Sequence, residues 1–417
     1  MHEVTKYLKS FIKNEFPTEI RKVEKMTNKS NNNNKMLLQI LNDIISAEKQ
    51  WNKIRNQIIV EDIHEEITKK TITSSFMPTE IKTYLIKYNI LTQKCVFNIN
   101  NQLITVFLSY LSSSQIQNIN KTKINKFFND RLKLIYLWLH VSNKYRDSKC
   151  SNTVTINIYL SDLYKILPEK GVPLDEENVN TAITTSCVKN GQIFIYREEE
   201  WFKVLMHETF HVYGMDFTNR THISEDFQDL MDKKVSDIIS VKTELRFFET
   251  YCEISAEWLN ILFYTYFNLH GQSSQNIVNQ FYKNLVYEKI FSIIQSEKLL
   301  NHYGIEYMNI FNRDSENITS INNQYKEKTY VLSYNIFKSV YMFNLEKLFE
   351  WYETKNENSL RIKLTEENMD SFLNLLKENY QNTEYLNLLQ NAREWIIENQ
   401  NKDSIETKTC RMSMFEI

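Results

Sequence analysis

Residues 204–214 read VLMHETFHVYG, and this stretch decides how the rest of the chain is interpreted. It holds two of the eight histidines, four positions apart, with a glutamate beside the first. It ends on Gly214, one of only five glycines in the chain. Uncharged residues around the histidines are typical of a buried helix, and the acidic residues 198–200 suit a helix N-terminus. We therefore predict a helix over WFKVLMHETFHVYG, which Gly214 ends.

The two histidines of this helix have the spacing of metal ligands. On a helix, His207 and His211 lie on one face, and their Cβ atoms are about 5–6 Å apart, so both imidazoles can bind one ion. Neutral imidazole binds Zn²⁺ at about 2.0–2.1 Å, and water on that ion has a pKa of about 7. Glu208 is rotated by one residue, which suits it to be a general base. The alternative is a helix with two core or surface histidines.

Zinc hydrolases need a third protein ligand, and metzincin spacing does not supply it here. The position that would be histidine is Phe217, and Asp216 lies one residue too early. Asp216 stays open as a minor alternative ligand. His222 lies in the polar segment TNRTHISED and is expected to face solvent.

Three glutamates repeat every four residues in FFETYCEISAEWLN (247–260), on an otherwise apolar segment. They are Glu249, Glu253 and Glu257, and a buried carboxylate is costly unless it is paired or bound to metal. We predict that Glu249 and Glu253 complete the metal site, Glu249 as ligand and Glu253 as acceptor for a histidine N–H. A frame shifted by one turn, with Glu253 and Glu257, and a solvated acidic face remain alternatives.

Hydrolysis of an acyl bond also needs a donor that stabilises the oxyanion. The chain has 24 tyrosines, too many for spacing alone to select one. Our candidate is Tyr334, in TYVLSYNIFKSVY on a late helix, with His302 and Tyr303 behind it. The alternative for each of these three is core packing.

Composition limits the fold class and the partners. The chain has 417 residues, of which 42% are hydrophobic, with five glycines and four prolines. So few turn residues argue against an all-β fold, and we expect a mainly α protein with a small β-sheet. A formal charge of -2 without a long basic run argues against a nucleic-acid partner. No signal peptide or apolar run of about 18 residues is apparent, so no membrane span is expected.

The five cysteines are odd in number, widely scattered and without a CxxC pair. This pattern predicts neither a disulfide framework nor a zinc ribbon, and is typical of a reduced, intracellular chain.

Hydrophobic periodicity outlines three regions. Helical spacing over 36–145 predicts a helical N-terminal region, 1–145, with SNNNNK (30–35) as a linker or exposed loop. A central region at 146–300 contains two strands, NTVTINIYLS (152–161) and GQIFIYRE (191–198). A helical C-terminal region, 301–417, packs on that central region. Long helices are expected at 236–269, 275–299, 330–352 and 365–399.

HETFH followed about forty residues later by ETYCE resembles the gluzincin branch of the zincin metallopeptidases, in which HExxH and ExxxD/E on two helices bind one zinc. REEEWFKVLMHETFHVYGMDF also resembles metallopeptidase-like proteins encoded by large nucleocytoplasmic DNA viruses. The resemblance covers 192–260, and a glutamate stands where gluzincins commonly use aspartate. It implies that the central region at 146–300 is a zincin-like catalytic core, with a small twisted sheet, an active-site helix and a ligand helix. It also implies an edge strand that holds an extended peptide, for which NTAITTSC (180–187) is the candidate.

These observations predict a zinc endopeptidase acting on a protein or peptide, with Glu208 passing a proton from water to the leaving amine. The resemblance implies a viral setting: processing of viral or host proteins in the host cytoplasm or viral factory, with packaging in the virion and virion components as partners. The alternative is a structural or virion-associated protein on a zincin scaffold, without peptidase activity.

Overall fold

The structure is a computed structural model that describes residues 3–27, 34–63, 77–87, 89–112, 121–218 and 226–417. About 60% of the chain is helical, and the strands of these residues form one mixed sheet. The predicted fold class, mainly α with a small β-sheet, is therefore confirmed.

The chain divides into two compact units, which we call the sheet unit and the helical unit. The sheet unit comprises Gln39–Tyr164 and Asn180–Thr221, and the helical unit comprises Met1–Leu38, Lys165–Val179 and His222–Ile417. The predicted region boundaries near 145 and 300 stay predictions.

Six strands make up the sheet unit's β-sheet. They are β1 (Val60–Ile63), β2 (Asn89–Ile99), β3 (Gln102–Ser112), β4 (Thr153–Ser161), β5 (Ala182–Thr184) and β6 (Asn190–Arg197). Their order is β1-β2-β3-β4-β6-β5, with β4 parallel to both β3 and β6 and the other pairs antiparallel. β4 and β6 confirm the two strands that sequence alternation predicted.

β1, β2 and β3 lie inside the segment 36–145, so the prediction that this segment is helical throughout is wrong. The hairpin between β2 and β3 turns at Asn100 and Asn101, which have φ of 45° and 67°. A two-residue loop with positive φ at both positions matches the twist of paired strands, and asparagine tolerates that conformation. The β-branched residues of both strands then favour the sheet over the helix that their apolar spacing suggested.

Helices cover the faces of the sheet unit. Its helices are Lys35–Ile54 (from residue 39 on), Thr79–Ile86, Lys121–Ser142 and Trp201–Val212, which we call the histidine helix. The histidine helix packs against Lys121–Ser142, because Trp138 Nε1 donates to Thr209 Oγ1 at 3.0 Å and Trp138 stacks on Phe210. All twelve residues of the histidine helix are buried. The helix that carries the two histidines is therefore a fixed element of the core.

The helical unit contains the remaining helices. They are Glu3–Glu15, Pro17–Thr27, Glu176–Val179, Phe227–Ser236, Phe247–Asn268 (which we call the glutamate helix), Ser274–Tyr303, Ser315–Gln324, Lys338–Phe343, Leu345–Thr354, Glu366–Asn379, Thr383–Asn399 and Ile405–Lys408. A π-helical segment, Leu332–Phe337, precedes Lys338–Phe343. Within the ranges that the structure describes, no helix is both long and apolar enough to cross a lipid bilayer.

One helix of the helical unit starts later than predicted. Sequence periodicity extended it over 236–269, but the glutamate helix begins at Phe247. The preceding residues bond elsewhere: Ser240 N donates to the Ile310 carbonyl at 2.6 Å, and Lys242 N donates to the Asn322 side chain at 2.6 Å. Because these backbone groups are already satisfied by tertiary contacts, the segment does not continue as a helix.

Candidate metal centre

The side chains of His207 and His211 lie together in the sheet unit. Their ring centroids are 5.0 Å apart, and their Nε2 atoms are 3.2 Å apart. Two nitrogen ligands at 2.0–2.1 Å from a tetrahedral zinc stand about 3.3–3.4 Å apart, so the pair fits this geometry. Both side chains are buried, which shields the pair from competing water. Two converging imidazoles of this kind are a donor set that suits Zn²⁺.

Asp216 fixes the orientation of His211. The Asp216 carboxylate accepts a hydrogen bond from His211 Nδ1, and it is fully buried. Its other oxygen, Oδ1, accepts from Thr218 N at 3.0 Å and from Thr218 Oγ1 at 2.6 Å. A proton on Nδ1 leaves the Nε2 lone pair of His211 available for a metal. The residue considered as an alternative ligand is thus bonded to the outer nitrogen of a histidine.

The turn after the histidine helix explains how Asp216 reaches His211. Gly214 has φ of 61°, Met215 N donates to the Phe210 carbonyl at 2.9 Å, and Gly214 N donates to the His211 carbonyl at 3.1 Å. This pair of bonds is the Schellman motif, in which a left-handed glycine ends the helix and reverses the chain. The reversal brings Asp216 back beside the last helical turn.

We expect Asp216→Asn to weaken zinc binding about 10- to 100-fold, because the histidine loses a charged acceptor and its orientation is less well fixed. The measurement is a competition titration against a chromogenic zinc chelator. Thr218→Val, which keeps the carboxylate but removes one hydroxyl donor, should change the affinity less. Equal affinity in wild type and Asp216→Asn would contradict the orienting role.

Glu208 lies on the histidine helix one residue after His207, about 100° further round its axis. Its side chain is 8% exposed. At this angle the Glu208 carboxylate cannot easily bind the same ion as the two imidazoles. It can still reach a water molecule or substrate group bound next to that ion. The position therefore suits proton transfer better than metal ligation.

The three glutamates of the glutamate helix belong to the helical unit, where Glu257 forms a buried ion pair with Lys338. Lys338 Nζ lies 2.6 Å from Glu257 Oε2, with 1% and 0% of the two side chains exposed. Glu288 is also fully buried; burial and then the neighbouring Glu257 raise the pKa of its carboxyl well above the ordinary value. Glu257 is thus part of an internal ion-pair cluster. The predicted roles of Glu249 and Glu253 toward the histidine pair stay predictions.

Tyr334 lies half-buried in the π-helical segment of the helical unit. Its ring is 6.2 Å from that of Tyr330, and the neighbouring Ser333 carbonyl accepts from Thr250 Oγ1 at 3.2 Å. Burial raises the pKa of Tyr330, with a smaller raising contribution from Glu249. Tyr330, Tyr334 and the first turn of the glutamate helix are therefore neighbours, although sequence analysis did not single out Tyr330.

His302 and Tyr303 have structural partners in the helical unit. His302 Nε2 donates to the Val172 carbonyl at 2.8 Å, and Leu174 N donates to Tyr303 Oη at 3.0 Å. Both side chains fasten the segment 172–174, which favours the packing alternative for these two residues. His222 lies outside the described residues.

The prediction that the cysteines form no disulfide is wrong. Cys150 and Cys187 form a disulfide bond, whereas Cys95, Cys252 and Cys410 are buried and keep their thiols. The two cysteines are 37 residues apart, so no local spacing motif predicts their disulfide. The cysteine count therefore no longer supports a reduced chain.

No protein-family model, no curated protein and no solved structure matches the chain.

Proposed function

We propose that the chain is a zinc-dependent peptidase. The observation that carries the proposal is the pair of buried imidazoles on the histidine helix, whose Nε2 atoms are 3.2 Å apart. The Asp216 carboxylate on His211 Nδ1 supports it, because such a bond is typical of metal-ligating histidines.

Each residue has a distinct role in this proposal. His207 and His211 hold the metal through Nε2, and Asp216 fixes the tautomer of His211. Zinc, when bound, polarises a substrate carbonyl and lowers the pKa of water, which supplies a nucleophile at neutral pH. Glu208 takes a proton from the attacking water and gives it to the leaving amine.

For the remaining ligand we propose Glu249, with Glu253 as an acceptor for a histidine N–H. The shifted frame would require Glu257 to serve the metal site as well. Glu257 already has a buried cation, Lys338, at 2.6 Å, and its charge is compensated within the helical unit. This contact favours the frame that leaves Glu257 out. For the oxyanion donor we keep Tyr334, because π-helical segments are frequent at functional sites.

For the substrate we propose an extended segment of a protein or peptide, bound at β5. The strand order ends at β5, which pairs with β6 through Ala182, Ile183 and Thr184. Among the strands that the structure describes, β5 has no neighbour on its other side. An extended peptide can add to such an edge by main-chain hydrogen bonds. In this proposal the segment 180–187, which contains β5, is the peptide-binding edge strand that the resemblance implies.

The test of the proposal is the metal content of the purified protein, measured by elemental analysis. We expect about one zinc per chain in the wild type and a loss of bound zinc in His207→Ala and in His211→Ala, because two remaining ligands bind weakly. His270→Ala, an exposed histidine at the end of the glutamate helix, should keep its zinc. Wild-type protein without metal would overturn the proposal.

A further inference from the structure

The disulfide of the sheet unit joins two chain segments that both bond to the end of the histidine helix. One segment contains Asp147, Cys150 and Ser151, and the other contains Cys187. We propose that the Cys150–Cys187 disulfide is a redox-sensitive clamp on this helix end, whose reduction loosens His211 and weakens metal binding. The second part of this inference rests on the proposed function.

Three carbonyls at the helix end accept hydrogen bonds from the two bridged segments. Cys187 N donates to the His211 carbonyl at 3.0 Å, Ser151 Oγ donates to the Val212 carbonyl at 2.7 Å, and Asp147 N donates to the Tyr213 carbonyl at 2.9 Å. The last carbonyls of a helix lack the amide partner four residues further along, so donors from neighbouring segments can bind them. The helix end that carries His211 is therefore held from outside by the residues that the disulfide joins.

The residues around Ser151 also pack closely against the end of the histidine helix. A Cβ added to Gly191, at the start of β6, would lie 2.6 Å from Ser151 Oγ and 3.0 Å from Val212 Cγ2. Tyr213 Oη donates to Gln102 Oε1 at 2.7 Å, and Gln102 Nε2 donates to the Ser151 carbonyl at 2.6 Å. The segment around Ser151 thus contacts the helix end on several sides, and its displacement must disturb that end.

The backbone at the bridge is held in an unfavourable conformation. Ser151 and Cys187 have φ of 50° and 38°, a region that residues with a Cβ rarely adopt. Such conformations persist only where surrounding bonds over-determine them. Opening the disulfide removes one of those bonds, and Cys187 can then leave the position in which its N–H reaches His211.

The two sulfurs differ in accessibility, which sets the course of reduction. Cys150 is fully buried, whereas Cys187 is partly exposed. A small thiolate attacks Cys187 Sγ, forms a mixed disulfide, and releases Cys150 as a thiolate that takes up a proton. A second thiol of the reductant then attacks the mixed disulfide and frees Cys187. Two reductant thiols become one disulfide as the protein gains two thiols.

The first experiment measures amide hydrogen exchange in the metal-free protein, before and after reduction with a phosphine that is then removed. We expect the amides of Asp147 and Cys187, and those of the last turn of the histidine helix, to exchange at least about tenfold faster after reduction. The double variant Cys150→Ser/Cys187→Ser should behave like the reduced wild type and should not respond to the phosphine. Unchanged exchange at these amides would overturn the clamp.

The second experiment measures zinc affinity of the same samples by competition with a chromogenic chelator. We expect reduction to weaken binding about 10- to 100-fold, as loss of a ligand's outer support does. Cys95→Ser, which alters a free cysteine of β2, should bind like the wild type. Faster exchange with unchanged zinc affinity would overturn the link to the metal. Absence of zinc from the oxidised protein would instead refute the proposed function, and the exchange data would still decide the clamp.

Discussion

Glu208→Gln is expected to abolish peptide hydrolysis while leaving about one zinc per chain. Glutamine has the shape of glutamate but cannot accept a proton, and loss of a general base costs on the order of 10²–10⁴ in rate. Glu208 lies outside the imidazole pair in our assignment, so its replacement should not remove a metal ligand. The measurement combines elemental analysis with mass spectrometry of products from a mixture of unstructured peptides.

Glu198→Gln is the matched control for this prediction. Glu198 precedes the same helix, its side chain is 50% exposed, and its partner is Arg131 at 2.8 Å. We expect this variant to keep its zinc and to hydrolyse peptides at the wild-type rate. Loss of zinc in Glu208→Gln would show that Glu208 is a ligand. Wild-type protein that holds zinc but cleaves none of the peptides would favour the scaffold alternative.

Sequence periodicity correctly predicted the elements whose apolar residues follow one spacing, helical or strand-like, from end to end. The histidine helix, β4 and β6 were predicted because their apolar residues repeat at helical or strand spacing over a whole element. The β2–β3 hairpin was missed because its apolar spacing also fits a helix. Asn100 and Asn101 were the available signal, since two residues that tolerate positive φ favour a tight hairpin turn.

The candidate site shows a similar division. The spacing of His207 and His211 is local, so sequence could place them on one helix face. The bond from His211 to Asp216 depends on the reversal at Gly214, which a spacing rule for ligands does not describe. The Cys150–Cys187 bridge joins a residue just before β4 to a residue just after β5. The two cysteines are 37 residues apart, so no local sequence pattern encodes the bond. The ion pair of Glu257 with Lys338 spans some eighty residues of sequence, so the glutamate spacing alone could not separate the two ligand frames.

Lys338→Met is expected to lower the free energy of unfolding by about 3–5 kcal/mol, because it leaves a buried carboxylate without its cation. Lys338 Nζ lies 2.6 Å from Glu257 and donates to the Met412 carbonyl at 3.1 Å, and both charged side chains are almost fully buried. Removing both charges, in Lys338→Met/Glu257→Gln, should recover part of the loss. The measurement is denaturant unfolding at neutral pH.

An exposed ion pair of the same unit gives the control. Lys234 contacts Asp370 at 2.6 Å with 26% and 42% of the two side chains exposed, and Lys234→Met should cost no more than about 1 kcal/mol. A loss in Lys338→Met as small as in Lys234→Met would show that the buried pair adds no stability.

The pH dependence of stability tests the same cluster independently. The raised pKa of Glu288 means that the folded state holds more protons than the unfolded state above the ordinary carboxyl pKa, about 4.3. Its contribution to the free energy of unfolding is therefore full below that value and is lost as pH rises. Lys338 lowers the pKa of Glu288, so we expect Lys338→Met to raise that pKa further. The stability that the protonated Glu288 contributes is then lost only at higher pH. Unfolding curves of both proteins with the same pH dependence would contradict this coupling, because the buried cation would then have no influence on the carboxyl beside it.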